Sequence, residues 1–407
     1  MIRIISIYII LLPIIFSCSD DKTAINFRGD GRNNNYEDRS LYSSDYFVID
    51  ILSDSLHNNY RNGLKWPLLM MENGGIIWCG HDNKVKMLAG SRFRWEFDLK
   101  DQRIVSPFAI SPLGDIIFIT SDNSVSSLGK NGQINWQESL LDSLSRVNDK
   151  KYYNAILTLK KYFVVTSSDG KIKFFDYSGN FLSELNLAIS TIGNPSKIND
   201  STFIISTSHF QKNKSDLVYI FQNKKIKKIF EIKNSRLILG AISSDNKIFT
   251  STLKSENNKN SAFVTSFDTS GNIIWEKNIE HPAMKISSDD EGNIFCLMRE
   301  NRFDKTHNWI IKIDKNGDFK WKLFFDNNIR SDLLIGENNI VLFATKDKTQ
   351  GLFYINKQNG KLYSTLSFGQ AADLNPFCVI SEGGNVYFGT KNENKILKIE
   401  KDMLDWR

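Results

Sequence analysis

Apolar residues along this chain come in short runs of four to seven, rich in Ile, Val, Phe and Tyr and closed by Gly, Asn, Asp or Ser. "GGIIWCG", "LGDIIFITSD", "KYFVVTSSDG" and "EGNIFCLMRE" are typical. Runs of this length between turn formers predict β-strands, and no segment holds a sustained helical period.

The runs recur as a unit. Residues 74–97 and 113–139 set the template: a Gly or Asn turn, an apolar run, a polar turn, an alternating run, a Gly turn, then a run bearing tryptophan. Further copies lie at 159–185, 198–232, 243–278, 289–323, 336–366 and 382–402, eight in all. A lone four-stranded sheet cannot cover its own faces, whereas sheets stacked around an axis cover one another. The reading is all-β: an eight-bladed β-propeller of four-stranded antiparallel blades, with seven blades and a stray strand as the competing count. The eighth copy stops after "KILKIEKD" without a fourth strand, and "DYFVIDILSD" (45–54) precedes the first copy. An N-terminal strand is therefore expected to complete the last blade and remove an exposed edge.

The echo "KNGQINW", "TSGNIIW", "KNGDFKW" fits this plan. Asp or Asn with Gly supplies the positive-φ residues of a tight hairpin between the third and fourth strands. The tryptophan four residues on lies on the outermost strand. There its indole can cover area between adjacent blades and its N–H can reach an acceptor. Copies three, four and seven lack it, around Ser183, Lys228 and Tyr363, and looser packing is expected there.

Residues 1–18, "MIRIISIYIILLPIIFSC", form an apolar run too short to span a bilayer comfortably but of signal-peptide length. Its end resembles the bacterial lipoprotein signal: Ile15 and Ser17 match, while Phe16 is unusual. The resemblance implies cleavage before Cys18 and lipidation of that residue. Domain organisation follows as a signal peptide (1–17), a polar flexible tether (18–44) and a propeller (45–407).

Composition narrows the function classes. With 41% hydrophobic and 24% charged residues, the chain can bury a large core. The net charge of +6 is not gathered into a basic block, which argues against nucleic-acid binding. Beyond Cys18 the cysteines are Cys79, Cys296 and Cys378, each inside an apolar run and read as a buried thiol. Five histidines, without zinc spacing or a nucleophile motif, give no metal or catalytic constellation.

The stretch "SPFAISPLGDIIFITSDNSVSSLGKNGQINW" (106–136) resembles the repeat of pyrroloquinoline-quinone-type (PQQ-like) propellers, and "NFRGDGRNNN" (26–35) resembles a bacterial lead-in to them. The likeness covers about residues 45–402, and the RGD tripeptide is read as part of the lead-in. The family's dehydrogenases hold quinone and calcium, often beside a vicinal disulfide. This chain has no Cys-Cys pair. Its "DKNGD" (314–318) places Gly fourth and Phe325 twelfth, which departs from a calcium loop and reads as a hairpin. The resemblance thus implies the non-catalytic branch, with no cofactor. The expected protein is a monomeric, membrane-anchored lipoprotein of the bacterial cell envelope. It would sit on the outer membrane, facing the periplasm or the surface, and act as a protein-interaction scaffold. A carbohydrate- or small-ligand-binding propeller and, further off, a PQQ-dependent dehydrogenase are the alternatives.

Candidate binding residues come from the second-to-third-strand connections, short in copies one to three and longer in copies four to seven: 208–216, 254–261, 299–308 and 346–351. Together these carry nine Lys or Arg against five Asp or Glu. Such connections on a rigid scaffold favour binding. A mildly basic docking patch for an acidic partner or anionic glycan is expected, led by Lys212, Lys214, Lys259, Arg299, Arg302 and His307.

Overall fold

The computed structural model describes residues 46–53 and 68–401, apart from 72–73, 80–82, 90–91, 142–152, 168, 188–193, 208–215, 233–234, 245, 257–258, 303–304, 326–327, 330–332, 337, 347–348, 370–373, 381–385 and 391–394. The signal peptide, Cys18 and the tether lie outside the described residues.

Every described element is a strand, and the strands form eight antiparallel sheets. Sheet one is Leu69–Met70, Gly75–Cys79, Lys84–Ala89 and Arg92–Asp98; sheet two is Ala109–Ile110, Ile116–Ile119, Ser124–Leu128 and Ile134–Ser139. Sheet three is Tyr153–Thr158, Phe163–Ser167, Lys171–Phe175 and Phe181–Asn186; sheet four is Ser196–Asn199, Thr202–Thr207, Asp216–Gln222 and Lys225–Ile232. Sheet five is Ser235–Ser244, Lys247–Glu256, Lys259–Phe267 and Ile273–Ile279; sheet six is Ala283–Ser288, Ile294–Arg302, Lys305–Ile313 and Phe319–Phe325. In sheet seven, Asn328–Ile329 and Leu334–Ile335 both pair with Asn339–Lys346, followed by Thr349–Asn356 and Leu362–Gly369. Sheet eight joins Leu374–Ile380, Val386–Thr390 and Lys395–Lys401 to Tyr46–Ser53, with Tyr46 opposite Lys401.

Middle strands such as Gly75–Cys79 and Ser124–Leu128 are buried at every residue. Both faces of these sheets are covered, so such strands read as continuous rather than alternating apolar runs. The cover comes from the neighbouring sheets. Ile77, Val85, Ile116 and Phe118 share one cluster between sheets one and two; Phe203 and Phe221 of sheet four join Val164 and Phe174 of sheet three. Ile396 of sheet eight packs with Met70, Trp78 and Leu88 of sheet one. Cys79 and Cys296 are buried thiols, as expected; Cys296 carries a raised pKa because burial disfavours the thiolate.

The tryptophans act between sheets. Trp95 of sheet one lies against Gly132 in the turn of sheet two, and its Nε1–H donates to the Lys130 carbonyl at 2.8 Å. Trp136 meets Gly179 and the Tyr177 carbonyl (2.9 Å), Trp275 meets Gly317 and Lys315 (3.1 Å), and Trp321 meets Gly360 and Lys357 (3.1 Å). Each indole thus seats on the glycine of the next turn, where a side chain would intrude, and satisfies its one donor.

Those turns differ in detail from the expectation. At "DTSGN", Gly271 N–H donates to Asp268 O and Asp268 N–H to Asn272 O, both at 3.0 Å. This is a type I turn closed by a glycine bulge. Only the glycine takes a positive φ (79°); Asp268 instead accepts the N–H groups of Ser270 and Asn272. The hydrogen bonds from Asn272 favour the charged carboxylate and lower its pKa. Asp314 of "DKNGD" does the same for Asn316 and Asp318, so that stretch is the hairpin.

Looser packing where tryptophan is missing holds only in part. Register puts Lys228 in the tryptophan place of sheet four, opposite Ile220. Two residues on, Phe230 fills the seat over Gly271 and lies tilted against Phe267, with centroids 5.1 Å apart. Between sheets three and four, Ser183 holds the tryptophan place with its hydroxyl buried and unsatisfied, and the facing turn, Asn223–Lys224, has no glycine. Seat and occupant are absent together.

Candidate functional site

The expected docking patch lies where second and third strands connect. In sheets one to three these strands are four to six residues long. In sheets five and six they run to nine or ten, and in sheet seven to eight. The stretches 254–261, 299–308 and 346–351 are therefore mostly continued ladders, paired out to Glu256↔Lys259, Arg302↔Lys305 and Lys346↔Thr349. Paired backbone keeps its hydrogen bonds as it leaves the core, so these arms are hairpins rather than loops. Their residues are mostly polar, and this erases the apolar signal by which a strand is read.

Lys212 and Lys214 lie outside the described residues. Lys259 and Arg302 occupy the outermost paired positions of the arms of sheets five and six. Arg299 and His307 share the arm of sheet six but belong to different ladder rungs, Arg299↔Asn308 and Glu300↔His307, so they face opposite ways. Arg299 donates from Nε to Asn308 Oδ1 at 3.1 Å and from Nη2 to the Ile329 carbonyl of sheet seven at 2.7 Å. It bolts the arm to the next sheet.

His307 belongs to an aromatic group that the sequence reading missed. Its ring lies 6.2 Å from Trp309 and 5.7 Å from Phe324. His281 stacks on Trp309 at 4.8 Å, with its Nε2 3.7 Å from Glu300 Oε2. Lys322 stands 5.4 Å from the Trp309 centroid and donates to Glu280 at 2.6 Å, and that hydrogen bond lowers the Glu280 pKa. His307 Nδ1 is buried with no hydrogen-bond partner. Strand alternation in "THNWI" placed His307 and Trp309 on one face, and that was the available signal. Among the described residues, no group of three or more His, Cys, Asp or Glu side chains could hold a metal ion.

No protein-family model matches the sequence, and no curated protein matches it. Solved structures do. BamB from Moraxella catarrhalis is similar with a TM-score of 0.58 at 11% identity, over 89% of this chain and all (100%) of that one. The WD40 domain of SCAP from fission yeast gives 0.58 at 12% identity, over 87% and 98%. The Dos1 propeller gives 0.55 at 10% identity, over 88% and 95%. These likenesses show the fold: a β-propeller of four-stranded antiparallel sheets.

Proposed function

We propose that this chain is a lipid-anchored, non-catalytic propeller of the bacterial envelope, on which partner proteins dock. Its eight sheets are eight blades of one ring. Two observations support the count and the closure: Tyr46–Ser53 pairs with Lys395–Lys401, and the Ile396 cluster joins sheet eight to sheet one. The PQQ-like repeat and the lipoprotein-like "IIFSC" support the non-catalytic, anchored branch.

The observation that carries docking is the set of arms. Among the described residues sheets five to seven extend their inner hairpins, and those arms are ladder-paired, with Lys259 and Arg302 at outermost paired positions of sheets five and six. A projection whose backbone is already paired presents binding groups at lower ordering cost than a loop. The test is expression of the full chain and of Cys18→Ser in a Gram-negative envelope. The parent is expected in the membrane fraction, and to bring a stoichiometric partner through mild detergent. The serine variant is expected to be soluble. A parent that fractionates as soluble removes the anchor, and recovery of no partner removes the scaffold.

A second reading, glycan or small-ligand binding, is favoured by one feature: the unsatisfied His307 Nδ1 beside Trp309. Glycan-array binding abolished by Trp309→Ala would support it, and the absence of any binding would remove it.

A further inference from the structure

Sheet four departs from the repeat on its outer strand. Trp95, Trp136, Trp275 and Trp321 hold the place opposite the last ladder residue before the bulge; sheet four has Lys228 there. Its turn is also unlike the others, a two-residue type with φ of 50° at Asn223 and 65° at Lys224. The five residues Lys225–Ile229 are exposed in succession, with Ile226 at 39% and Ile229 at 48%. Lysines fill positions 224, 225, 227 and 228, a short basic cluster at odds with the expectation that the positive charge forms no block. Glu231 is the one carboxylate of the strand, and Asp268 of sheet five lies within electrostatic reach of Lys228.

Lysines on an edge strand can simply guard it against pairing. The other outer strands weaken that explanation. Ile273–Ile279 exposes Ile273 and Ile274 with a single lysine, and Ile134–Ser139 has none. Those two edges carry only Glu276, Lys277 and Glu138, and Arg92–Asp98 and Phe319–Phe325 carry two cations each, so the three lysines of Lys225–Ile232 exceed the cations of every other described outer strand.

We propose that the edge Lys225–Ile232 is a docking strand for an extended acidic segment of a partner protein. Strand Lys225–Ile232 is terminal in its sheet, and its exposed residues Lys225–Ile229 offer an extended segment an edge to pair along. Lys225, Lys227 and Lys228 supply charge complementarity, and Ile226 and Ile229 supply apolar contacts between them. An anionic membrane would match the charge but not the row of backbone donors and acceptors. This proposal rests on the scaffold reading above and names one surface of it.

The test uses the detergent-solubilised full chain and two synthetic peptides of equal charge. One alternates Glu with Val and Thr; the other interleaves prolines so that it cannot form a strand. Binding is read by fluorescence anisotropy, and amide exchange is followed over 225–232. The strand-forming peptide is expected to bind at least about tenfold tighter than the proline peptide, to weaken with salt, and to slow exchange at this edge. The triple variant K225E/K227E/K228E should lose at least about tenfold in affinity, and a triple Lys→Gln variant an intermediate amount, both with unchanged melting. Equal binding of the two peptides overturns the proposal, as does binding indifferent to charge reversal. So does charge-dependent binding confined to phosphatidylglycerol vesicles. If native partner is recovered equally by wild type and the triple variant, this edge falls while the scaffold reading stands. If neither recovers any, the scaffold reading itself falls.

Discussion

Substituting Gly132 by alanine probes the contact that repeats between blades. The residue has a φ of 78°, and an added Cβ would lie 2.7 Å from both Cγ and Cε3 of Trp95. Two costs add. Alanine in the left-handed region costs about 1 kcal/mol relative to glycine. Displacing a packed indole adds about 1–3 kcal/mol. Gly74 is the internal control, since its φ is 75° but nothing lies within 4 Å of its would-be Cβ. Gly74→Ala should therefore show only the first cost, and Gly132→Ala should exceed it by about 1–3 kcal/mol. Urea unfolding followed by far-UV circular dichroism measures both. Trp95→Ala in the Gly132→Ala background should recover the steric part, as a double-mutant cycle reports for residues in contact. Equal midpoints for the two alanine variants, or no coupling to Trp95, would refute the idea that the glycine is there to seat the indole.

Other outcomes follow from particular contacts. Asp289→Asn should destabilise the interface of sheets six and seven by about 3–5 kcal/mol, because Lys357, 2% exposed with Nζ 3.5 Å from Asp289 Oδ2, would be left as an unpaired buried charge; thermal melting checks this. Phe230→Ala should cost about 2–4 kcal/mol by emptying the seat on Gly271, whereas Phe230→Trp should be nearly neutral; the same urea assay ranks them. Lys398 has its pKa pulled down to about 8 by burial, so the unfolded chain binds this proton more tightly. Stability should rise as pH climbs from about 8 towards the ordinary lysine value near 10.5, and Lys398→Met should flatten that rise in melting curves taken across the window.

Much of the fold could be read from the chain because its period is written in glycine and tryptophan. The four-residue spacing within a hairpin was visible, but the partner of each tryptophan was not, since Trp95 meets Gly132 of the following copy. Phe230 escaped notice because it fills the seat from two residues downstream of the register position. The arms looked like loops because their residues are mostly polar and carry no apolar run. Treating 299–308 as a loop also merged Arg299 with His307, which the ladder sends to opposite faces. The candidate site was therefore legible as a region and as a charge excess, while the grouping of its side chains needed the register.

The pairing of Tyr46–Ser53 with Lys395–Lys401 sets a timetable. A strand made early must wait for one made about 340 residues later. Until residue 401 is available, the early strand has no partner and sheet eight keeps one edge bare, so a chain clipped short of residue 395 cannot hide its loss. Such distant pairing is slow to find. It turns completion into an inspection step: only a chain that reaches residue 401 can make this pairing in full, and a shorter one advertises itself to proteases through the same unpaired strand.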